Sequence, residues 1–324
     1  MDFLLILFTV AVCIVVLVLL TSLICFYMAF YASRRAPKNP PEFNVPSGKA
    51  YAPFREMMIH WMKSMRATPY KDITITSFDG LKLHGRYYEY APGATLELMF
   101  HGYRGTAERD LCGGIQRCFA LGRSALIVDQ RAAGESEGHV ISFGINERRD
   151  CMSWINYVVE NFPKDQKIIL CGISMGAATV MMASEMDLPD NVVGILADCG
   201  YTSARDIIKK VIRQLHLPAN MLYPFVKLGA KLYGRFDLEE ASPIEAMKHC
   251  HVPAFFVHGE TDDFVPCEMS RLNYEACVAK KKLITIPGAD HGLAYPVAQD
   301  EYLHALAEFW TEAGVPTETI TRKK

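Results

Sequence analysis

Three side chains in this sequence have the types and the order that acyl transfer requires. Ser174 is the centre of Gly172-Ile173-Ser174-Met175-Gly176. Asp262 and Asp263 lie in His258-Gly259-Glu260-Thr261-Asp262-Asp263-Phe264-Val265-Pro266, and His291 closes Gly288-Ala289-Asp290-His291. A serine hydroxyl is a weak nucleophile at neutral pH. It needs a base within hydrogen-bond reach, and the base needs an acid to hold its tautomer. Serine, then aspartate, then histidine is the chain order found where a serine is displayed on a strand-to-helix turn. The acid has rivals: Asp263 beside Asp262, and Asp198 at the end of an earlier strand. His258 belongs to the acid segment and reads as a brace for that loop, not as the base. His249-Cys250-His251 resembles a metal cluster. On a strand, however, alternate residues point to opposite faces, so only the two histidines share a side and a third ligand is missing. Neither a metal nor a cofactor is expected.

These residues need a scaffold that brings them to one end. Ile168-Ile169-Leu170-Cys171 is a buried strand, and Met175-Gly176-Ala177-Ala178 begins a helix. The turn between them holds Ser174 in a strained backbone, and Gly172 and Gly176 leave room where a side chain would strike a neighbouring element. The helix N-terminus favours developing negative charge there. Ahead of this turn, 72–76 and 81–90 read as a hairpin around Asp79-Gly80. Strands at 96–100, 125–128, 192–197, 252–257 and 283–286 alternate with helices at 108–121, 146–161, 175–186, 268–279 and 300–312. That alternation predicts an α/β fold, a mostly parallel sheet covered by helices on both faces. Both later loops, with Asp262 and His291, then follow strands and lie at the same end of the sheet as Ser174. One insertion breaks the pattern. Residues 201–247 carry Ile207, Ile208, Val211, Ile212, Leu222 and Phe225 and read as a helical cap that supplies apolar walls to the substrate pocket, with helical decoration of the sheet edge as the alternative.

The chain has 324 residues, half of them apolar, and a formal net charge of −2. That suits one large domain with a full core and gives no sign of a nucleic-acid partner. Phe3 to Phe30 contains no charged residue. About 20 apolar residues cross a bilayer, so this stretch reads as an uncleaved single-pass anchor; no positive charge precedes it, as a signal peptide would require. The segment after it is proline-rich and carries Arg34, Arg35 and Lys38. Positive residues flanking a span favour the cytoplasmic side, which predicts that the domain after it is cytoplasmic. Ten cysteines without short pairing motifs agree with a reducing compartment. Phe54, Met57, Met58, Trp61, Met62 and Met65 share one helical face, predicting a helix packed on the domain, with a helix lying on the membrane surface as the alternative. The organisation expected is an anchor at 3–31, a linker and amphipathic helix at 32–70, the catalytic domain at 71–314 with its cap at 201–247, and a polar tail at 315–324.

Over residues 72–310 the chain resembles the α/β-hydrolase-fold serine hydrolases, and more narrowly it is similar to membrane-anchored α/β-hydrolase-domain proteins with one N-terminal span. The pattern His-Gly-x-x-Asp-x-x-Val-Pro implies Asp262 as the acid. The pattern Asp-x-Arg-x-x-Gly-x-Ser-x-Gly is matched by Asp129, Arg131, Gly134, Ser136 and Gly138 and implies a structural role. The His-Gly-x-x-Gly loop is matched by His101, Gly102 and Gly105. It implies that the backbone N–H groups of Tyr103 and Met175 form the oxyanion hole. A serine at the turn implies ester rather than haloalkane or epoxide chemistry. The activity implied is cleavage of carboxylic esters or thioesters, acyl lipids included. The alternatives are a serine peptidase of the prolyl-oligopeptidase kind and a non-catalytic, membrane-tethered binding protein on the same scaffold. The oligomeric state is not legible in the sequence.

Overall fold

Short runs rich in apolar and β-branched residues form one eight-stranded sheet in the computed structural model, which describes residues 2–33, 41–315 and 317. The strands are β1 (Lys71–Thr76), β2 (Lys82–Tyr88), β3 (Leu96–Phe100), β4 (Ser124–Val128), β5 (Ile168–Ile173), β6 (Val192–Asp198), β7 (Ala254–Gly259) and β8 (Lys281–Ile286). Their spatial order is β1-β2-β4-β3-β5-β6-β7-β8. The expected hairpin is there: β1 and β2 run antiparallel, and β2 is antiparallel to β4. Every pair from β4 to β8 is parallel. Parallel neighbours cannot be joined by a tight turn, so helices cross between them and cover both faces.

Alternation along β5 shows how the sheet feeds two cores. Ile169 and Cys171 point into one layer with the helices Arg55–Ala67, Ala107–Ala120 and Gln299–Glu312. Ile168 and Leu170 point into the other, with the helices Glu147–Asn161, Met175–Ala183 and Cys267–Ala276. Each layer closes on a fully buried tryptophan, Trp310 in the first and Trp154 in the second. Truncating either to alanine costs about 3–5 kcal/mol by the usual transfer and cavity terms. Near the start of β3, Glu97 is fully buried between Arg117 (2.5 Å) and Arg123 (2.8 Å). Burial alone would raise its carboxyl, but the two guanidiniums outweigh that and hold it at about 2.

The helix Arg55–Ala67 packs on the domain through buried Met58, Trp61, Met62 and Met65. Gly113 of the helix Ala107–Ala120 makes room for it, since a Cβ there would stand 2.8 Å from the Trp61 ring. Its apolar face is therefore used up by the core and not offered to a membrane surface. The strand expected from 252 begins at Ala254, because Pro253 has no N–H for the ladder. His249 and His251 thus fall outside the strand, both exposed, with buried Cys250 between them. Strand alternation does not govern that trio.

The insertion is helical, with Ala204–Gln214 capped by Ser203 and followed by Ala219–Gly229, which runs on into a wider turn at Ala230–Gly234. Its apolar side meets the end of the N-terminal helix Asp2–Ala29. Phe30 is fully buried there, edge-on to Phe143 at 5.7 Å and to Phe236 at 5.3 Å. Arg34, Arg35 and Lys38, on which the expected orientation rests, lie outside the described residues, as do most residues of the polar tail.

Candidate active site

The turn after β5 has the geometry its glycines allow. Ser174 has φ 56° and ψ −114°, a backbone conformation that L-residues adopt only under constraint. A Cβ at Gly172 would lie 2.1 Å from the Gly176 backbone, and a Cβ at Gly176 would lie 2.0 Å from the Phe100 carbonyl oxygen. Both positions must be glycine for β5, the helix Met175–Ala183 and β3 to approach this closely. The Ser174 N–H donates to the Asp198 carbonyl at 2.8 Å, which ties the turn to the end of β6.

Loops after β7 and β8 complete the row. His291 Nε2 is 2.9 Å from Ser174 Oγ, and His291 Nδ1 is 2.7 Å from Asp262 Oδ2. A carboxylate only accepts, so the proton sits on Nδ1 and the Nε2 lone pair faces the serine. Asp262 is held from four sides. Its Oδ1 accepts the N–H groups of Phe264 (2.9 Å) and Val265 (2.7 Å), while its Oδ2 also meets His258 Nε2 at 3.1 Å. His258 Nε2 lies 2.8 Å from the Val265 carbonyl oxygen, so both its partners are acceptors and it carries a proton; its Nδ1 accepts from Ser270 Oγ at 2.6 Å. It braces the acid loop, as read. Burial would raise the Asp262 carboxyl, but the hydrogen bonds it accepts from His258 and His291 outweigh that and hold it at about 2.

The rival acids go elsewhere. Asp198 Oδ2 accepts from Tyr302 Oη at 3.0 Å, and burial pushes its carboxyl up. Asp263 is exposed and meets the Asp290 carboxylate only through its backbone N–H, at 3.3 Å. One further residue reaches the row. Cys199, with φ 45°, brings its thiol to within 4.8 Å of the ligand-type atoms of Asp262 and His291. Burial beside Asp198 and Asp262 raises that thiol well above its ordinary value, so it stays neutral. Its position just after Asp198, where the strand beside the serine turn ends, is the sequence signal it carries.

The loop after β3 approaches the serine closely: a Cβ at Gly102 would lie 3.5 Å from Ser174 Cβ. His101 Nε2 accepts the Gln130 N–H at 3.0 Å, so its Nδ1 carries the proton and donates to the Gly102 carbonyl at 2.7 Å. That fixes the backbone on which Tyr103 sits. The loop is also tied to the end of the N-terminal helix. Tyr103 Oη donates to the Ala29 carbonyl at 2.8 Å, and Arg104 donates to the Met28 and Tyr31 carbonyls at 3.0 and 3.2 Å. Met175 opens its helix, where N–H groups have no intrahelical partner.

A cavity of about 200 Å³ opens beside Ser174 and His291. Its apolar walls include Tyr51, Met58, Trp61, Met99, Cys112 and Tyr295. Tyr51 Oη donates to the His291 carbonyl at 2.8 Å, so the segment before the amphipathic helix is fastened to the loop that carries His291. None of the residues lining this cavity comes from 201–247. The expectation that the insertion supplies these walls is therefore corrected: its apolar side is occupied by the N-terminal helix. The wall is built by residues 51–61 instead. The Met- and Trp-rich stripe was the signal, but it specifies only burial, not what it is buried against.

Comparison with known proteins agrees with this architecture. The chain is 26% identical to the protein YqkD of Bacillus subtilis, over 61% of this chain and 65% of that one. It is 28% identical to the protein bem46 of Schizosaccharomyces pombe, over 68% of each. Among solved structures, an esterase of Pyrococcus furiosus superposes with a TM-score of 0.64 at 23% identity, covering 85% of this chain and 97% of the esterase. The fold is the α/β-hydrolase fold. A model of the prolyl oligopeptidase family matches residues 142–314, more than half of the chain and the part that carries Ser174, Asp262 and His291, and the protein belongs to that family.

Proposed function

We propose that this protein is a membrane-anchored serine hydrolase that cleaves carboxylic ester or thioester bonds, acyl lipids included. The observation that carries the reading is the unbroken hydrogen-bonded row Ser174, His291, Asp262 beside an apolar cavity. In the proposed reaction Ser174 Oγ attacks the acyl carbon while its proton passes to His291 Nε2. Asp262 orients the ring and stabilises the imidazolium. The N–H groups of Tyr103 and Met175 stabilise the oxyanion, worth about 3–4 kcal/mol for a donor in comparable enzymes. Collapse of the tetrahedral adduct expels the alcohol or thiol, which takes the proton from His291. Water, deprotonated by the same base, then releases the acid and restores Ser174. No cofactor enters these steps.

The domain plan belongs to the proposal. The helix Phe3–Ala29, 27 residues without a charged side chain, supports an anchor; the hydrolase domain at 71–314 is assigned to the cytoplasmic side from Arg34, Arg35 and Lys38. The tie from Tyr103 to the end of that helix favours a substrate that partitions into lipid. A second reading, peptide-bond cleavage, is favoured by the family match. A fluorophosphonate probe should label the wild type and not Ser174→Ala. Turnover of p-nitrophenyl esters of increasing chain length, beside prolyl peptide substrates, then separates the two readings. Undiminished labelling of Ser174→Ala refutes the nucleophile, and cleavage of peptides without esters moves the assignment to the second reading.

A further inference from the structure

The apolar N-terminal helix, Phe3–Ala29, is 27 residues long, about 40 Å at 1.5 Å per residue. Only part of it is bare. From Leu19 onward the helical insertion lies against one side. Tyr233 Oη donates to the Leu19 carbonyl at 3.0 Å, and the Tyr233 and Phe26 rings stand 5.9 Å apart. Gly229 is so close that a Cβ there would be 2.5 Å from the Ser22 carbonyl oxygen. The uncovered stretch, residues 3–18, is about 24 Å long, which is shorter than the roughly 30 Å of a hydrocarbon core. A spanning helix must therefore carry its covered part several ångströms into the bilayer, and the insertion goes with it. Exposed Tyr27, one turn further on, suits the interface itself.

The insertion has the surface that this position demands. Leu215, Leu217, Met221 and Leu232 are exposed, Met221 by 71%. Residues 204–235 contain seven lysines and arginines against a single acidic residue, Asp206, in a chain whose net charge is −2. Arg205, Lys209 and Arg213 recur at i, i+4 and i+8 and line one open cleft with Asp206 and Glu239, the latter paired with Lys227. Exposed apolar side chains among cations match the headgroup layer of an anionic leaflet, where the apolar groups sink to the acyl boundary and the cations meet phosphates.

We propose that the insertion 204–235 is a membrane-embedded foot, seated in the headgroup layer of an anionic phospholipid leaflet beside the N-terminal helix. The proposal rests on reading that helix as a membrane span. The foot and the helix together fix how the domain stands on the bilayer, and the Tyr103 and Arg104 bonds carry that orientation to the catalytic loop.

The test uses the full chain in vesicles of phosphatidylcholine with phosphatidylglycerol. A photoactivatable probe of either lipid, reactive near its headgroup, is added, and adducts are mapped by mass spectrometry. The expected result is adducts on the peptides covering 215–232 as well as on the N-terminal helix, with the anionic probe favoured. Replacing both Lys231 and Arg235 with glutamine should lower that preference about fivefold per cation removed. Adducts on the N-terminal helix with none on 215–232 overturn the foot and leave the span standing. Adducts on neither overturn the span as well. Equal yields from the two probes overturn the anionic preference, and cross-links between copies through 215–232 would assign the face to a protein partner.

Discussion

Replacing Asp262 with asparagine tests the proposed catalytic row at its most constrained point. Asp262 Oδ1 accepts two backbone N–H groups, from Phe264 and Val265, so an asparagine must turn its carbonyl oxygen to that side. Its NH₂ group then faces His291 Nδ1 and His258 Nε2, where the carboxylate had accepted from both. His258 keeps the Val265 carbonyl as an acceptor, so its loss is partial and costs about 1–3 kcal/mol of stability. His291 has no such alternative. Its Nδ1 must accept, its proton moves to Nε2, and the lone pair that should take the Ser174 proton is gone. The same inversion in a serine protease lowers turnover about 10⁴-fold, or about 5 kcal/mol of transition-state stabilisation. The assay is kcat and KM for a short p-nitrophenyl ester, with thermal unfolding measured in parallel. The expected outcome is a collapse of kcat at nearly constant KM, a modest fall in Tm, and near-normal kcat in Asp263→Asn. If Asp262→Asn stays within tenfold of wild type while Asp263→Asn collapses, the assignment of the acid is wrong.

Other outcomes follow from the same structure. Trp61→Ala should shift the chain-length preference toward longer acyl groups and lower stability by about 3–5 kcal/mol, whereas Leu222→Ala, in the insertion, should leave the chain-length profile unchanged; activity across an ester series reads both. Glu97 and Asp262 have carboxyls depressed from 4.5 and 3.8 to about 2, so their contribution to stability is complete above pH about 4.5 and is lost as the pH falls toward 2; urea unfolding along that range should show a falling midpoint, with the loss confined to acid. Protease added to intact spheroplasts should spare the hydrolase domain until detergent is added; digestion beforehand would reverse the orientation expected from Arg34, Arg35 and Lys38.

The local features were legible in the sequence because each depends on residues near one another in the chain. Gly172, Ser174 and Gly176 specify the turn, since the space they share is set within five residues. The period-two and helical patterns specify the sheet and its covering helices, because a strand or helix that buries one face must repeat at its own pitch. That places Ser174, Asp262 and His291 at one end of the sheet. What the residues alone left open was settled by contacts between distant segments. Asp198, Asp262 and Asp263 all reach the same end, and only the packing of the loops after β7 and β8 decides that Asp262 meets His291. Glu97 lies in an apolar strand, and its partners are 20 and 26 residues away, on a helix and beyond it. The stripe from Met58 to Met65 announced burial, yet the cavity it walls exists only where that helix crosses Gly113. The insertion announced helices, yet whether they cover a pocket or a neighbouring helix depends on which apolar face reaches them first, and here it is Phe26 and Phe30. An apolar pattern encodes how much surface must leave water; the partner that removes it is chosen by the whole fold.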